Sequence, residues 1–263
     1  MSTLNVSVVQ AELHWHDPQR NLIEFAKVLT RHESATDLIV LPEMFSTGFT
    51  MHAAEHAERM DGRSVSWMAE TAEKRGAAIC GSLIIEDDGS YFNRFILVRK
   101  DGRVEYYDKR HLFRLAGEHE HYAPGPTLRN FDLNGWRIRP MVCYDLRFPV
   151  WSRNRNDYDL LIYVANWPDR RHQAWETLLR ARAIENLAFV AGVNRIGTDG
   201  NNSCYIGGSA IIDYLGNYLV SFAAEAGMAT ATLDMEGLVK FREKFPFHLD
   251  ADEFTVSPSL VEQ

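Results

Sequence analysis

Leu160-Leu161-Ile162-Tyr163-Val164-Ala165, then Ala174 to Leu187, then Ala188 to Asn194 decide the fold, because together they read strand, helix, strand. The first stretch is a short apolar run with β-branched and aromatic members, a strand pattern. The second (AWETLLRARAIENL) is long enough for a strong helix, and the third (AFVAGVN) returns to strand formers. Working outward, Ile138 to Cys143 is a further strand, followed by a turn and a short helix. Ser209 to Ile212 and Ala229 to Leu233 continue the β pattern, with Leu215-Gly216-Asn217 as a turn. The N-terminal half has the same mixture. Leu4 to Gln10 and Leu38 to Leu41 read as buried strands. Asp17-Pro18 signals a helix start before Asn21 to Thr30, and Val65 to Arg75 reads as a second helix. Ala77 to Ile85 and Tyr91 to Arg99 form a hairpin through Asp87-Asp88-Gly89, and Val104 to Tyr107 extends it after Asp101-Gly102. Strands and helices alternate in both halves, which predicts one α/β layered domain over residues 1–263. No linker interrupts it. The tail from about Phe245 is aperiodic and reads as an extended arm, packed on this chain or on a partner subunit.

The 263 residues include 46% hydrophobic and 24% charged, within the range of ordinary globular domains. A net charge of −8 without a basic block argues against a nucleic-acid or anionic-membrane surface. The three cysteines, Cys80, Cys143 and Cys204, are odd in number and far apart, which suits a reducing compartment better than a disulfide framework. No signal-peptide pattern opens the chain and no apolar run reaches the ~20 residues of a membrane span. The expectation is a cytoplasmic protein.

Three chemically capable residues fall at or just after strand ends, where α/β sheets form their sites: Glu43, Lys109 and Cys143. Their types fit one reaction. A thiol with a reference pKa of ~8.5 is mostly protonated at neutral pH. A carboxylate within reach can take that proton, and an ammonium can favour the thiolate and then a tetrahedral oxyanion. Each residue also has an ordinary reading on its own. Cys143 could be a small core filler, Glu43 a helix-start charge and Lys109 a solvated loop residue. Cys80, inside an apolar strand, is expected in the core, and Cys204, in a Gly/Asn-rich loop, is expected to be structural or weakly exposed. Residues 110–130 lack periodicity, which in a compact domain marks a functional or disordered loop.

Leu41-Pro42-Glu43, Asp108-Lys109-Arg110-His111-Leu112-Phe113 and Cys143-Tyr144-Asp145-Leu146-Arg147-Phe148-Pro149 resemble, in order and spacing, the three signature blocks of the nitrilase superfamily. The resemblance runs from Val6 to about Lys244 and includes Ala181 to Asn186 and Gly207-Gly208-Ser209. Within the superfamily the chain is most similar to the omega-amidases, through Cys143 to Pro149, Tyr163 to Pro168 and Gly192 to Gly200. It implies a four-layer α-β-β-α sandwich, a homodimer or higher homo-oligomer, and no metal or organic cofactor. The implied reaction is hydrolysis of the terminal amide of 2-oxoglutaramate or 2-oxosuccinamate through a Cys thioester. Cys143 would be the nucleophile, Glu43 the base, and Lys109 with the Tyr144 backbone N–H the oxyanion partners. Glu118 matches the family's second glutamate by its distance from Pro124-Gly125, with Glu120 as competitor. A substrate carboxylate needs a cation, for which Arg114, Arg170 and Arg171 are candidates. Trp167 could wall the pocket, and Arg147 reads as structural and paired with an acid. The dimer would use the helix Ala174 to Leu187 and the C-terminal arm.

Four other readings compete. His111, His119 and His121 with Glu118 and Glu120 could hold a metal, although their spacing fits no helical zinc pattern. Cys143 could be a redox thiol, although it has no C-x-x-C partner. The chain could be a binding module that kept the fold. The same three catalytic residues would also serve nitrile or carbamoyl hydrolysis, because pocket residues and not the fold choose the substrate.

Overall fold

A computed structural model describes residues 3–256. In chain order the elements are β1 (Thr3–Gln10), α1 (Pro18–Arg31), β2 (Leu38–Val40), α2 (Ala53–His56), α3 (Arg63–Arg75), β3 (Ala78–Asp87), β4 (Ser90–Val98) and β5 (Val104–Asp108). There follow α4 (Glu118–His121), β6 (Phe131–Leu133), β7 (Trp136–Val142), α5 (Pro149–Ser152), β8 (Leu160–Val164), α6 (His172–Asn186) and β9 (Phe189–Val193). The chain continues through β10 (Ile196–Thr198), β11 (Cys204–Ile206), β12 (Ala210–Ile212), β13 (Tyr218–Ser221), β14 (Gly227–Asp234) and α7 (Met235–Lys244).

The strands form two six-stranded sheets, ordered β14-β1-β2-β3-β4-β5 and β13-β12-β9-β8-β7-β6, and a separate β10-β11 hairpin. In the first sheet β1, β2 and β3 are parallel, and β14, β4 and β5 add antiparallel to the two sides. In the second sheet β7, β8 and β9 are parallel, with β6, β12 and β13 antiparallel at the sides. Strand periodicity sorts the faces. Leu4, Val6 and Val8 of β1 join Leu38 and Val40 of β2 in one buried cluster with Ile138, Met141 and Val142 of β7, between the sheets. The alternate residues Val9, Ile39 and Ile79 pack outward beneath Leu22 and Phe25 of α1 and Met68 and Ala72 of α3. Trp175, Leu179 and Ala183 of α6 cover the second sheet. The order of layers is therefore helix, sheet, sheet, helix.

Local signals explain the helices. Pro18 opens α1 and the Asp17 side chain accepts the Arg20 N–H, as an N-cap should. The helix α3 ends at Gly76 in the left-handed region, with φ of 63°. The three-residue strands β6, β10 and β11 and the four-residue α2 and β13 are too short to show a period, and they were not visible in the sequence. The helix α7 was also unseen; it buries Leu238 and Arg242 and leaves much of its surface polar. The described part of the C-terminal arm folds back on its own chain, where Arg155 donates to the Phe254 carbonyl and lies 4.4 Å from that ring. The end of the arm lies outside the described residues. Among the described residues no helix is long and apolar enough to cross a membrane.

Candidate active site

Glu43 follows β2, Lys109 follows β5 and Cys143 follows β7, so the first sheet supplies the two charged groups and the second supplies the thiol. The fold brings them to one place. Lys109 Nζ lies 3.0 Å from Glu43 Oε1 and 2.9 Å from both Glu118 carboxylate oxygens. All three side chains are fully buried. Each of the four carboxylate oxygens also accepts from an amide or backbone donor. Asn93 Nδ2 donates to Glu43 Oε1 at 2.8 Å and to Glu118 Oε1 at 3.2 Å. The Asn166 backbone N–H donates to Glu43 Oε2 at 2.8 Å, and the Phe113 N–H donates to Glu118 Oε2 at 2.5 Å. A buried charge without such partners would cost several kcal/mol, so this saturation is what allows the group to exist.

The competition with Glu120 is resolved by position: Glu118 is buried on Lys109, whereas Glu120 is exposed. A close chain crossing holds Lys109 from the other side. The Gly125 N–H donates to the Lys109 carbonyl at 2.9 Å, and a Cβ at residue 125 would lie only 2.1 Å from the Asp108 carbonyl oxygen. Only glycine fits there.

Cys143 has φ of 44°, a left-handed conformation that costs a non-glycine residue about 1–2 kcal/mol. It opens a 3-10 turn over Cys143–Arg147 and is half-buried on the wall of a cavity of about 400 Å³. The backbone N–H of Tyr144 belongs to the first residues of that turn, where amides have no intrahelical acceptor. Charge in the group follows from burial. Burial pushes the Cys143 thiol well above its ordinary range, the Glu43 carboxylate adds to this, and Lys109 pulls the other way without prevailing. Lys109 therefore eases the upward push on the thiol but does not cancel it. Burial also opposes the Lys109 ammonium, but Glu118 and then Glu43 outweigh it and hold the amine charged. Glu118 is raised, by burial first, against the opposing pull of Lys109.

Aromatic rings line the cavity, among them Trp15, Phe113 and Trp167, together with Arg147, Arg170 and Arg171. Arg171 is half-buried, with its guanidinium 5.0 Å from the Phe113 ring, and Arg147 lies 5.0 Å from the Trp167 ring. This alters three expectations. Arg114 is exposed and does not line the cavity, because the 3-10 turn over Arg114–Ala116 presents Leu115 and Ala116 to it instead. Among the described residues Arg147 pairs with no acid; it lies over the Trp167 ring at the cavity. Arg170 lines the cavity but is exposed, so Arg171 is the better enclosed cation. Trp167 is buried in the core against Trp175, with ring centroids 5.7 Å apart, and also lines the cavity.

Cys80 is buried in the core, and burial raises its thiol. Cys204 is exposed on β11, not in a loop. The histidines expected as metal candidates are dispersed: His111 Nδ1 is 2.7 Å from Asp145 Oδ1, whereas His119 and His121 are exposed. Among the described residues no group of three or more His, Cys, Asp or Glu is arranged to hold a metal ion. Asn93 and Asn166, which complete the acid pair, were missed. Their signals were a lone amide in the apolar strand SYFNRFILV and an amide directly after β8.

Residues 5–243 match the family model described as carbon–nitrogen hydrolase. The chain belongs to the carbon–nitrogen hydrolase family. It is 49% identical over 257 residues to omega-amidase YafV of Yersinia enterocolitica, covering 97% of this chain and 99% of that one. It is 33% identical over 246 residues to the 2-oxoglutaramate amidase of Bacillus subtilis, covering 92% and 95%. The crystal structure of a CN-hydrolase superfamily protein from Xanthomonas campestris, with an arsenic adduct in its active site, superposes with a TM-score of 0.95. The two share 46% identity over 98% of this chain and 100% of the other. The sandwich is therefore of the nitrilase type.

Proposed function

We propose that this carbon–nitrogen hydrolase is an omega-amidase that cleaves the terminal amide of 2-oxoglutaramate and 2-oxosuccinamate, giving the dicarboxylic 2-oxo acid and ammonia. The observation that carries this reading is the buried Glu43–Lys109–Glu118 group beside Cys143, in a cavity that also presents Arg147 and Arg171. The near-full-length likeness to omega-amidases supports the choice of substrate.

The neutral thiol gives up its proton to Glu43 as sulfur attacks the amide carbon. The oxyanion that forms is met by the Lys109 ammonium and the Tyr144 N–H, donors already in place and therefore requiring little reorganisation. Collapse breaks the carbon–nitrogen bond. Glu43 returns the proton to the leaving nitrogen, and ammonia departs from a thioester at Cys143. A water then loses a proton to Glu43 and attacks the thioester, and the thiol is restored with release of the carboxylic acid. Glu118 holds Lys109 charged and in place. Lys109 cannot reach the oxyanion as a free base, because two carboxylates keep its proton on.

Arg171, seated on Phe113, is the partner we assign to the substrate's carboxylate, with Arg147 and Arg170 raising the positive potential of the cavity. A carboxylate prefers a planar guanidinium for bidentate pairing. We further read the molecule as a homodimer, with the exposed Ile184 of α6 in the apolar face offered to a second copy.

Ammonia release from 2-oxoglutaramate, glutamine and a simple aliphatic nitrile tests the substrate reading. The expected order is 2-oxoglutaramate far ahead of the others, with Arg171→Met raising KM by more than about tenfold, the loss of one charge-assisted contact of 1.4 kcal/mol or more. Faster turnover of the nitrile would overturn the assignment.

A further inference from the structure

Asp145 is a buried carboxylate in the nucleophile's own turn that the reaction above does not use. It accepts four hydrogen bonds from three residues in two segments of the chain. Its Oδ2 takes the Val142 N–H at 3.0 Å and the Tyr107 hydroxyl at 2.8 Å. Its Oδ1 takes the His111 backbone N–H at 3.0 Å and lies 2.7 Å from His111 Nδ1. The partners are themselves fixed. Tyr107 oxygen accepts from Trp151 Nε1 at 2.9 Å and from the Arg110 N–H at 3.2 Å. The His111 ring stacks on Phe148 with centroids 3.8 Å apart.

Tyr107 and His111 flank Lys109 by two residues on each side, and Val142 immediately precedes Cys143. Lys109 directly follows the edge strand β5 of one sheet, and Cys143 directly follows the parallel strand β7 of the other. Covalent connection between them is remote, so their separation depends on non-covalent ties between the sheets. We propose that Asp145 is a positioning residue that sets the separation of Lys109 from Cys143 by clamping the Tyr107–His111 segment to the nucleophile turn. The carboxylate suits this task because it offers only acceptors, and here all four donors converge on it. An amide in its place would present a donor to at least one of those N–H or O–H groups and force it away. A shift of ~1 Å at a reacting centre can cost about a hundredfold in rate.

Asp145→Asn and Tyr107→Phe in the full-length protein test this. The readouts are kcat and KM for ammonia release, circular dichroism, and the pH midpoint of Cys143 alkylation by iodoacetamide. Asp145→Asn is expected to lower kcat by about ten- to a hundredfold with KM within about twofold. It should also raise the alkylation midpoint, because Lys109 normally pulls the thiol down. Tyr107→Phe, which removes one donor and leaves the carboxylate, should move both readouts the same way by less. A folded Asp145→Asn protein with unchanged kcat and midpoint overturns the proposal. If that variant does not fold, unchanged values in Tyr107→Phe overturn it instead. The inference rests on the site chemistry proposed above but not on the amide chosen. A wild-type protein inert to 2-oxoglutaramate, with a raised midpoint in Asp145→Asn, would sink the substrate reading and leave this one standing.

Discussion

The two sheets repeat one plan: a flanking antiparallel strand, three parallel strands, then two antiparallel strands. β1, β2 and β3 correspond to β7, β8 and β9, and the crossover helices α3 and α6 correspond too. The ends of the strands differ. β1 stays extended to Gln10, whereas its counterpart β7 stops at Val142 and turns into the left-handed Cys143. After β2 comes Glu43, and after its counterpart β8 comes Asn166, whose backbone N–H donates to Glu43 and whose Nδ2 donates to the Glu43 carbonyl at 2.7 Å. The site thus lies where two similar strand ends meet, with the charged groups on one side and the strained thiol on the other. Neither sheet holds a complete set, so the chemistry depends on how firmly the sheets are tied.

Dividing the chemistry by sheet gives the largest expected effect. Cys143→Ala should abolish turnover. Glu43→Gln, on the other sheet, should lower kcat by about 10²–10⁴, the usual worth of a positioned general base. The two variants part company in thiol reactivity. Because the Glu43 carboxylate helps to hold the Cys143 thiol above its ordinary range, Glu43→Gln should lower the pH midpoint of alkylation while destroying turnover. Lys109→Met should raise it. Midpoints moving in the opposite sense would mean that the charges on the first sheet do not govern the thiol on the second.

The opposite end of the sandwich tests whether the sheets can be loosened without touching the chemistry. Asp159, just before β8, takes Arg137 Nη2 of β7 and Arg242 Nη1 of α7, each at 2.7 Å. α7 follows β14 of the first sheet, so this buried group joins both. Burial alone would raise the Asp159 carboxyl, but the Arg137 and Arg242 contacts outweigh it and leave it lowered. Its stabilising contribution is therefore present above the usual carboxylate range and is lost as pH falls through the lowered value. Asp159→Asn should cost about 3–5 kcal/mol at neutral pH, the cost of unpairing buried charges. It should also flatten the acid limb of a plot of urea-unfolding free energy against pH, with kcat per folded molecule unchanged. An intact acid limb would remove Asp159 from the account.

Which parts of this were legible in the sequence follows from what each part depends on. The long strands and the helices α1, α3 and α6 carry their own periodicity and turn chemistry, so their positions were readable from residues alone. Glu43, Lys109 and Cys143 were readable as strand-end residues whose chemistry fits together, and their order and spacing resemble a known family. The site's supporting residues were not. Asn93, Asn166 and Asp145 act through contacts with residues 25 to 123 positions away in the chain, which no local pattern encodes. Arg114 misled for a related reason: it is close to Lys109 in sequence, but a 3-10 turn points its neighbours and not its own side chain at the cavity. The further upward push on the Cys143 thiol was out of reach, because burial, its first cause, is a property of the packed sheets.

The smallest effect distinguishes the two crossover helices. Both end in a left-handed residue, α3 at Gly76 with φ of 63° and α6 at Leu187 with φ of 47°. Glycine adopts this conformation freely, and leucine does so at a cost that its burial must offset. A Cβ at residue 76 would meet nothing within 4 Å, so Gly76→Ala isolates the backbone cost from any clash. It should destabilise the fold by about 1 kcal/mol with kcat and KM unchanged. Leu187→Gly removes the same strain but also a side chain that is 2% exposed. Losing a buried leucine costs about 2–5 kcal/mol, more than the strain relieved, so this variant should be the less stable of the two. Unfolding midpoints in urea would rank them. A Leu187→Gly protein as stable as the parent would mean that the cap's strain, and not its burial, dominates at the end of α6.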